Sequence, residues 1–306
     1  MIPFLHSRKG PREGYLAIQA AGGFVSHVEL TWQSGRAKVV SCMHRSEEND
    51  SERLWKGYTH TSVPVGIVLS VGEYQLLPLD APSVPPEELK MAVRWRIRDQ
   101  IEYPLDDVTV DVIRLDQGAK DASGKLLAIV ANNKVLKKYV GLAERAKLKL
   151  AAIDIPELAQ RNISAMLESP GQALAMLSFT AQGGLLTVTR NGDLCFYRRL
   201  DCNAAEVSGM DENRRTAYFD RIALELQRSL DHIERQYRDW QIGKIALPLP
   251  PAIPGLTEHL RRQVYIPLET VALDLFFDGD FSSVNQKLSS CWFAFGGALR
   301  RLEKSP

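Results

Sequence analysis

Residues 16–40 read LAIQAAGGFVSHVELTWQSGRAKVV, and residues 174–200 read LAMLSFTAQGGLLTVTRNGDLCFYRRL. In both stretches, turn residues separate three apolar runs: Gly22-Gly23 and Ser34-Gly35 in the first, and Gly183-Gly184 and Asn191-Gly192 in the second. These residues tolerate the positive φ that tight hairpin turns require. Each stretch is therefore predicted to be a three-stranded antiparallel meander, and its repetition predicts two related halves that face each other.

Composition excludes several classes of protein. The chain of 306 residues carries 38 basic and 37 acidic side chains, so no global field favours nucleic acid or an anionic membrane. Its four cysteines are far apart and form no Cys-x-x-Cys pair, which disfavours a zinc knuckle or a disulfide framework. No secretory signal and no apolar run near the ~20 residues of a membrane span is found. The sequence predicts a cytoplasmic protein that reaches a membrane only through a partner.

A separate unit is predicted between the two repeats. After a short helix within residues 47–58 and a strand at 63–71, the hinge APSVPP at 81–86 precedes a helix that begins near Glu87. That helix and its exit carry an apolar stripe at every fourth position: Leu89, Val93, Ile97 and Ile101. Two strands, a helix and a further strand follow, at residues 108–115, 126–131, 132–148 and 151–155. Residues 85–154 are thus predicted to form a small subdomain inserted in a first half that spans residues 1–170.

The second half, residues 171–306, is predicted to mirror the first. Its meander is followed by a long charged helix, a strand, a helix after Pro254-Gly255 and a last helix, at residues 211–240, 244–249, 255–264 and 290–302.

Six further segments carry a resemblance to a known family. They are residues 84–112 (VPPEELKMAVRWRIRDQIEYPLDDVTVDV), 153–162 (IDIPELAQRN), 189–200 (TRNGDLCFYRRL), 225–236 (ELQRSLDHIERQ), 253–260 (IPGLTEHL) and 296–300 (GGALR). In their order and spacing they resemble the PilM family of type IV pilus assembly proteins. Within it they are most similar to the MshI branch, which serves mannose-sensitive haemagglutinin (MSHA) pili.

The resemblance implies an actin-like ATPase fold close to that of FtsA, with two RNase H-like halves and an α+β subdomain inserted in the first. It also implies a position at the cytoplasmic face of the inner membrane. There a PilM-like protein binds the cytoplasmic N-terminal tail of PilN, a bitopic inner-membrane protein. The pilus motor ATPase is a further implied partner, and nucleic acid is not. In the family, ATP lies in the cleft between the halves.

The nucleotide motifs that the resemblance places on this chain are altered together. On the first strand the usual Asp-Ile-Gly becomes Gln19, Ala20 and Ala21, and the lysine of the next strand becomes Ser26. The second Asp-Ile-Gly becomes Ser178, Phe179 and Thr180, and the adenosine-binding glycines become the proline-rich run around Pro250. Because Mg²⁺ and phosphates need carboxylates and cations, we expect no hydrolysis, no catalytic residue, no metal site and no cofactor.

Two alternatives stay open for these motifs. An actin-like ATPase could bind or hydrolyse ATP with Mg²⁺ held by other carboxylates, such as Glu29 or Asp201. Conversely, Gly22-Gly23 and Gly183-Gly184 are more simply turn glycines than a phosphate cradle.

A partner groove is expected between the inserted subdomain and the first meander half, as the resemblance implies. The residues expected to line it lie on the Glu87 helix and its exit: Arg94, Trp95, Arg98, Gln100, Ile101, Tyr103 and Pro104. An extended segment would place apolar side chains in pockets there. A solvated arginine face and a packing role for Trp95 are the alternative interpretations.

Overall fold

The structure is a computed structural model. It describes residues 14–302, except 34–35, 47–54, 56–57, 59–60, 116–123, 203, 208, 238–239, 250–251, 280–283 and 286. Most of the helix predicted within 47–58 and the turn Ser34-Gly35 therefore lie outside the described residues. The strands are β1 Gly14–Ala21, β2 Phe24–Gln33, β3 Arg36–Ser46, β4 Pro64–Val68, β5 Tyr74–Asp80, β6 Val108–Leu115, β7 Lys125–Asn132, β8 Lys149–Asp154, β9 Ala173–Thr180, β10 Gly183–Arg190, β11 Asp193–Leu200, β12 Ile242–Leu249, β13 Leu268–Ala272 and β14 Phe277–Asp278. The helices are α1 Leu89–Arg96, α2 Asn133–Arg145, α3 Pro156–Ser164, α4 Ala204–Val207, α5 Glu212–Gln236, α6 Leu256–Gln263 and α7 Leu288–Ala298.

Two large sheets share the order of five strands, and the first sheet has β14 in addition at its edge. The first runs β14-β3-β2-β1-β4-β8 and the second runs β11-β10-β9-β12-β13. In each sheet the meander strands are antiparallel, and the first meander strand pairs in parallel with the next strand of the sheet. This shared order is that of an RNase H-like half, and the prediction of two related halves is confirmed.

The hairpin turns are built as the sequence predicts. Gly22 and Gly23 have φ of 58° and 78°, and Asn191 and Gly192 have φ of 55° and 82°. Positive φ at both central residues matches the right-handed twist of the flanking strands. These residues are therefore turn residues of the meanders.

A third, three-stranded sheet has the order β5-β7-β6. β6 and β7 pair with each other, as predicted for the inserted strands. Two assignments to the inserted unit were wrong. β5 lies before the predicted hinge yet pairs with β7, whereas β8 pairs in parallel with β4 and belongs to the first large sheet.

The inserted sheet is covered on both faces. Ala128 and Val130 pack with Val93 and Ile97 of α1 in one cluster. The alternate residues of β7 pack in another cluster with β1, β4 and α2. Because neighbouring strand residues point to opposite faces, α1 lies on the face of this sheet that is remote from the first large sheet.

Helices α3 and α7 lie between the two large sheets, in a core with residues of both. A Cβ on Gly296 of α7 would stand 2.0 Å from the Ala159 carbonyl oxygen of α3, so only glycine permits this crossing. The amide of Asn162 donates to the Gly296 carbonyl at 3.0 Å.

The C-terminal part of the chain returns to the first half. β14 pairs with β3, and α7 packs on β1 and β2, although residues 171–306 were predicted to form the second half. α7, LSSCWFAFGGA, is apolar on nearly every side, and such a helix has to be buried all round. Within the described ranges, no helix is long and apolar enough to cross a bilayer.

Candidate functional site

At the cleft between the halves, the end of β1 contacts the opposite half. Gln19 is buried and its Nε2 donates to Oε1 of Gln182, in the β9–β10 turn, over 3.3 Å. Ala21 ends the same strand and pairs with Phe24 across the hairpin. The position expected of a magnesium-ordering aspartate thus carries a neutral amide that is already hydrogen-bonded.

Ser26 occupies the predicted place of the phosphate-binding lysine. Its Oγ donates to the Ser290 carbonyl of α7 at 2.8 Å and lies 2.9 Å from Nδ1 of His44. This side chain is buried against α7 and supplies no cation to the cleft.

Ser178 belongs to a buried network centred on Gln160. Its hydroxyl donates to Oε1 of Gln160, and the same oxygen accepts the indole N–H of Trp292 at 3.0 Å. Nε2 of Gln160 donates at 3.0 Å to the Met176 carbonyl and, at a similar distance, to Oγ1 of Thr187. All these side chains satisfy one another inside the core. The second aspartate position therefore carries no charge for a metal ion.

Thr180 is a further position of the nucleotide motifs. Oγ1 of Thr180 accepts the backbone N–H of Gln182 at 3.1 Å and so stabilises the turn. Pro250 lies outside the described residues. Among the described residues, a cavity of about 10 Å³ between Leu247, Pro248 and Trp292 has room for about one water molecule.

The alternative carboxylates do not converge on a metal position. Gln19 pairs with Ser26, and Glu29 lies three residues beyond Ser26 on β2, so its side chain points to the opposite face of the sheet. Asp201 follows β11 and is exposed. Among the residues that the structure describes, no three His, Cys, Asp or Glu side chains are grouped as a metal site requires.

A buried ion pair joins three parts of the molecule. Arg199 of β11 donates to Oε1 of Glu157 in α3 at 2.7 Å, and to the hydroxyl of Tyr74 in β5 at 2.6 Å. The Tyr74 hydroxyl donates to Oε2 of Glu157, also at 2.6 Å. Burial, then the Glu157 charge, raises the pKa of Tyr74 well above its usual value. No pattern in the sequence indicates this junction, because its members lie far apart in the chain.

The predicted partner-binding residues divide into several groups. Trp95 is 62% exposed, and Met91, one turn earlier on α1, is 67% exposed. Arg94 instead donates to the carbonyls of Leu105 and Val108, so it fastens α1 to β6. The others follow α1: Arg98 pairs with Asp99 at 3.0 Å, Ile101 packs partly into the inserted core, and Gln100, Tyr103 and Pro104 are exposed.

Arg94 and Trp95, the two of these residues on α1, do not lie between the inserted subdomain and the first large sheet, whereas for the residues after α1 the groove stays a prediction. α1 covers the face of the inserted sheet that points away from the first large sheet, so its side chains cannot line a space between that sheet and the inserted subdomain. The stripe of Val93 and Ile97 is buried as predicted, but by β7 from the remote side. Periodicity identifies the buried side of a helix without identifying what covers it.

A larger cleft lies on the meander of the first half. We call it the meander cleft; it has a volume of about 440 Å³ and is lined by Leu16, Val25, His27, Glu29, Ser41, Met43, Arg45, Tyr58, Thr61 and Ser62. It lies on the face of the sheet opposite to α7. Along β2 and β3, the residues that line the cleft alternate with residues that point into the core. This alternation is visible in the sequence and could have indicated the cleft.

His27 occupies one wall of the meander cleft. Its Nδ1 lies 2.7 Å from the Tyr58 hydroxyl and its Nε2 3.1 Å from Oγ of Ser41. Burial, then the charges of Arg45 and Lys287, lowers the pKa of His27 to about 4. Burial also raises the pKa of Glu29. The imidazole is therefore neutral at pH 7 and holds two hydroxyl groups in place.

The sequence of the middle part of the chain matches a known family. Residues 57–207, close to half of the chain, match the model of a family described as type IV pilus assembly protein PilM. This part of the chain is PilM-like. No curated protein matches the sequence.

Solved structures show the fold of the chain. A chain of the PilM-PilN type IV pilus biogenesis complex matches with a TM-score of 0.74 at 19% identity, over 96% of this chain and 100% of that one. A Bacteroides thetaiotaomicron protein, described as having an actin-like ATPase fold and unknown function, matches with a TM-score of 0.48 at 11% identity, over 92% and 97% of the two chains. The cytoplasmic domain of EpsL, an inner-membrane component of the type II secretion system of Vibrio cholerae, matches with a TM-score of 0.45 at 10% identity, over 65% and 78%. The predicted fold is confirmed by the strand order that the two large sheets share and by the match to the chain of the PilM-PilN complex.

Proposed function

We propose that this protein is a non-catalytic scaffold of a type IV pilus assembly platform. It acts at the cytoplasmic face of the inner membrane and binds the cytoplasmic N-terminal tail of a PilN-like bitopic protein. Its pilus belongs to the MSHA type, and the protein is a member of the MshI branch. The pilus motor ATPase is a second partner of the same platform.

The non-catalytic role is inferred from the side chains that occupy the two aspartate positions at the cleft between the halves. Gln19 and Ser178 stand where the two aspartates are expected, and both are engaged in neutral hydrogen bonds, with Gln182 and Gln160 respectively. Transfer of a phosphoryl group requires a cation to neutralise the phosphate charge. We therefore assign ATP and Mg²⁺ no role in this protein.

The partner is inferred from the fold and the family match. A chain of a PilM-PilN complex has the same fold as this chain over nearly its full length. The meander cleft suits a short extended segment, because its volume of about 440 Å³ falls in the range of ligand pockets. Met43 and Leu16 offer apolar contacts there, while Arg45 and Ser41 offer polar groups to a peptide backbone.

The α1 surface is the competing location for the same tail. Met91 and Trp95 are exposed on it one turn apart, with Arg98 and Tyr103 beyond them. Exposed aromatic and arginine side chains frequently dominate protein interfaces. A convex helix face, however, offers less enclosure to an extended segment than the meander cleft does.

Peptide titration tests the proposal. Synthetic N-terminal peptides of the inner-membrane proteins encoded nearby are labelled and titrated with the purified protein, and fluorescence anisotropy is measured. We expect one of them, from the PilN-like protein, to bind saturably, whereas a scrambled peptide of the same composition does not. If no such peptide binds while Mg-ATP does, the protein is a divergent ATPase instead.

A further inference from the structure

One exposed side of α2 and the turn after it is strongly basic. The buried side of α2 is formed by Leu136, Tyr139, Leu142 and Ala143. The exposed side chains of residues 133–149 include a single acid, Glu144. The exposed bases are Lys134, Lys137, Lys138, Arg145, Lys147 and Lys149, and we call the five lysines the basic strip. The whole chain carries a net charge of only +1, so this strip is a local concentration of positive charge.

Helix stability does not explain the lysines. Lys134 lies in the first turn of α2, at the positive end of the helix dipole, where a cation is unfavourable. Lys134 also lies three and four residues before Lys137 and Lys138, a spacing at which like charges repel. Lys147 adopts φ of 54° just beyond the helix, a conformation usual for glycine or asparagine.

Ion pairing does not explain them either. Across the part of the chain that the structure describes, the ion pairs involve none of the five lysines of the basic strip. The basic strip therefore presents five exposed ammonium groups, three on α2 and two just beyond it. Lys138 lies over the Tyr139 ring and Lys149 donates to the Ser62 carbonyl, but no carboxylate of the described residues neutralises either charge. Such a surface is suited to a partner with diffuse negative charge.

We propose that the basic strip binds the anionic lipid headgroups of a membrane surface. Clusters of lysine on one face of a helix are attracted to such surfaces through the summed charge. Single-stranded nucleic acid fits less well, because base stacking needs exposed aromatic side chains and Tyr139, the aromatic residue of α2, is fully buried. The contact is direct and adds to the membrane attachment expected through a partner.

The position of the basic strip agrees with the proposed function. The link between the strip and the meander cleft rests on that proposed function. Nζ of Lys149 donates to the Ser62 carbonyl at 3.4 Å, and Ser62 lines the meander cleft. The basic strip therefore ends at the rim of that cleft. A tail that leaves the bilayer would reach the meander cleft over a short distance when the strip lies on the membrane.

Vesicle sedimentation of the full chain, without any partner, tests the proposal. Large vesicles of phosphatidylcholine are compared with vesicles that also contain phosphatidylglycerol. We expect the protein to bind only the anionic vesicles, and we expect added salt to abolish this binding. The variant Lys134→Gln/Lys137→Gln/Lys138→Gln should lower the partition coefficient by about 100-fold, because each of the three lysines near an anionic surface contributes about fivefold.

A matched variant makes the test specific. Arg215→Gln/Arg228→Gln/Arg262→Gln removes the same charge from exposed positions on α5 and α6 and should bind anionic vesicles like the wild type. Equal losses in both variants, no loss in the lysine variant, or no binding by the wild type would overturn the proposal. Stronger binding to a DNA oligonucleotide than to anionic vesicles would assign the strip to nucleic acid instead.

The lysine variant also separates this proposal from the proposed function. Its melting temperature should not fall, because the substitutions relieve repulsion within α2. Its affinity for the free tail peptide should be unchanged. If the protein binds anionic vesicles but no tail peptide, the proposal for the basic strip is supported and the PilN-like partner is wrong. If it binds the peptide but no vesicles, the PilN-like partner is supported and the proposal for the basic strip is wrong.

Discussion

Nε2 of Gln19 lies 3.3 Å from Oε1 of Gln182, and this contact joins the first strand of one half to the first hairpin of the other. Both groups are uncharged, so the contact needs no ion to bridge the halves. Together with the buried network around Gln160, it holds the cleft by hydrogen bonds that are present without a ligand. The halves of this protein are therefore coupled by their own side chains.

Mg-ATP should leave the melting temperature unchanged. A ligand at a hundred times its Kd stabilises a fold by about 2.7 kcal/mol, which would raise the midpoint by several degrees. With Gln19, Ser26 and Ser178 all hydrogen-bonded elsewhere, we expect no such shift in a thermal titration. The tail peptide is the positive control in the same assay. A rise of several degrees with saturating Mg-ATP would contradict the non-catalytic role.

Gln160→Met should destabilise the protein strongly. The substitution keeps the volume but leaves Trp292 Nε1, the Ser178 hydroxyl and the Met176 carbonyl without their partner. Each buried unsatisfied group costs roughly 1–3 kcal/mol, so we expect a loss of about 4 kcal/mol in urea unfolding. Gln263→Met, at an exposed position of α6, is the control and should be nearly neutral. Equal stability of the two variants would mean that the network contributes nothing.

Arg199→Met should lower the free energy of unfolding by about 3–5 kcal/mol, because it leaves the Glu157 carboxylate buried without its cation. The double variant Arg199→Met/Glu157→Gln removes both charges and should recover part of that loss. A double-mutant cycle by chemical unfolding measures the coupling. If the two single losses simply add, the ion pair does not hold the inserted sheet and the two halves together.

Stability should fall as the pH falls from about 7 to 4, in part through His27. Its pKa is 6.5 in the unfolded chain and about 4 in the fold. The unfolded state therefore binds the proton first, and each step of acidification below 6.5 favours unfolding until the pH reaches about 4. The difference amounts to about 3 kcal/mol. His27→Gln should flatten this part of the pH profile, whereas His232→Gln, at an exposed site, should not; identical profiles would exclude His27 as the source.

Much of the fold could be predicted because its signals are local. Asn191-Gly192 fixes a hairpin whatever surrounds it, and the stripe of Val93 and Ile97 marks a buried face. The partners of each element are set by tertiary contacts instead. β8 looks like the end of the inserted unit in sequence, but its pairing with β4 depends on a strand far away in the chain. β5 was missed for the same reason.

The sites were less predictable than the fold. The motifs predicted that positions 19 and 178 carry no carboxylate. They did not predict the Gln160 network, because nothing in PELAQRN indicates that the glutamine is buried. Arg94 was taken as a contact residue, yet it reaches the Leu105 carbonyl. A long side chain can form hydrogen bonds with any of several neighbours. Only the packed structure identifies which neighbours are within reach.

The last prediction locates the tail of the PilN-like partner. Arg45 lies exposed on the wall of the meander cleft, where its N–H groups can donate to the carbonyls of any bound backbone. Arg45→Glu removes these donors and adds repulsion, so we expect the peptide affinity to fall at least tenfold with little change in melting temperature. Arg36→Glu, at an exposed position of the same strand outside the cleft, is the matched control and should bind normally.

Trp95→Ala and Arg98→Glu test the competing α1 surface in the same titration. Both side chains are exposed, so neither substitution should unfold the protein. Truncation of an interface hot spot costs about 2 kcal/mol or more, which anisotropy resolves easily. Because the meander cleft encloses a segment and α1 does not, we expect both variants to bind the tail like the wild type. A loss of binding in these two variants with normal binding by Arg45→Glu would instead place the tail on α1, where the sequence had predicted it.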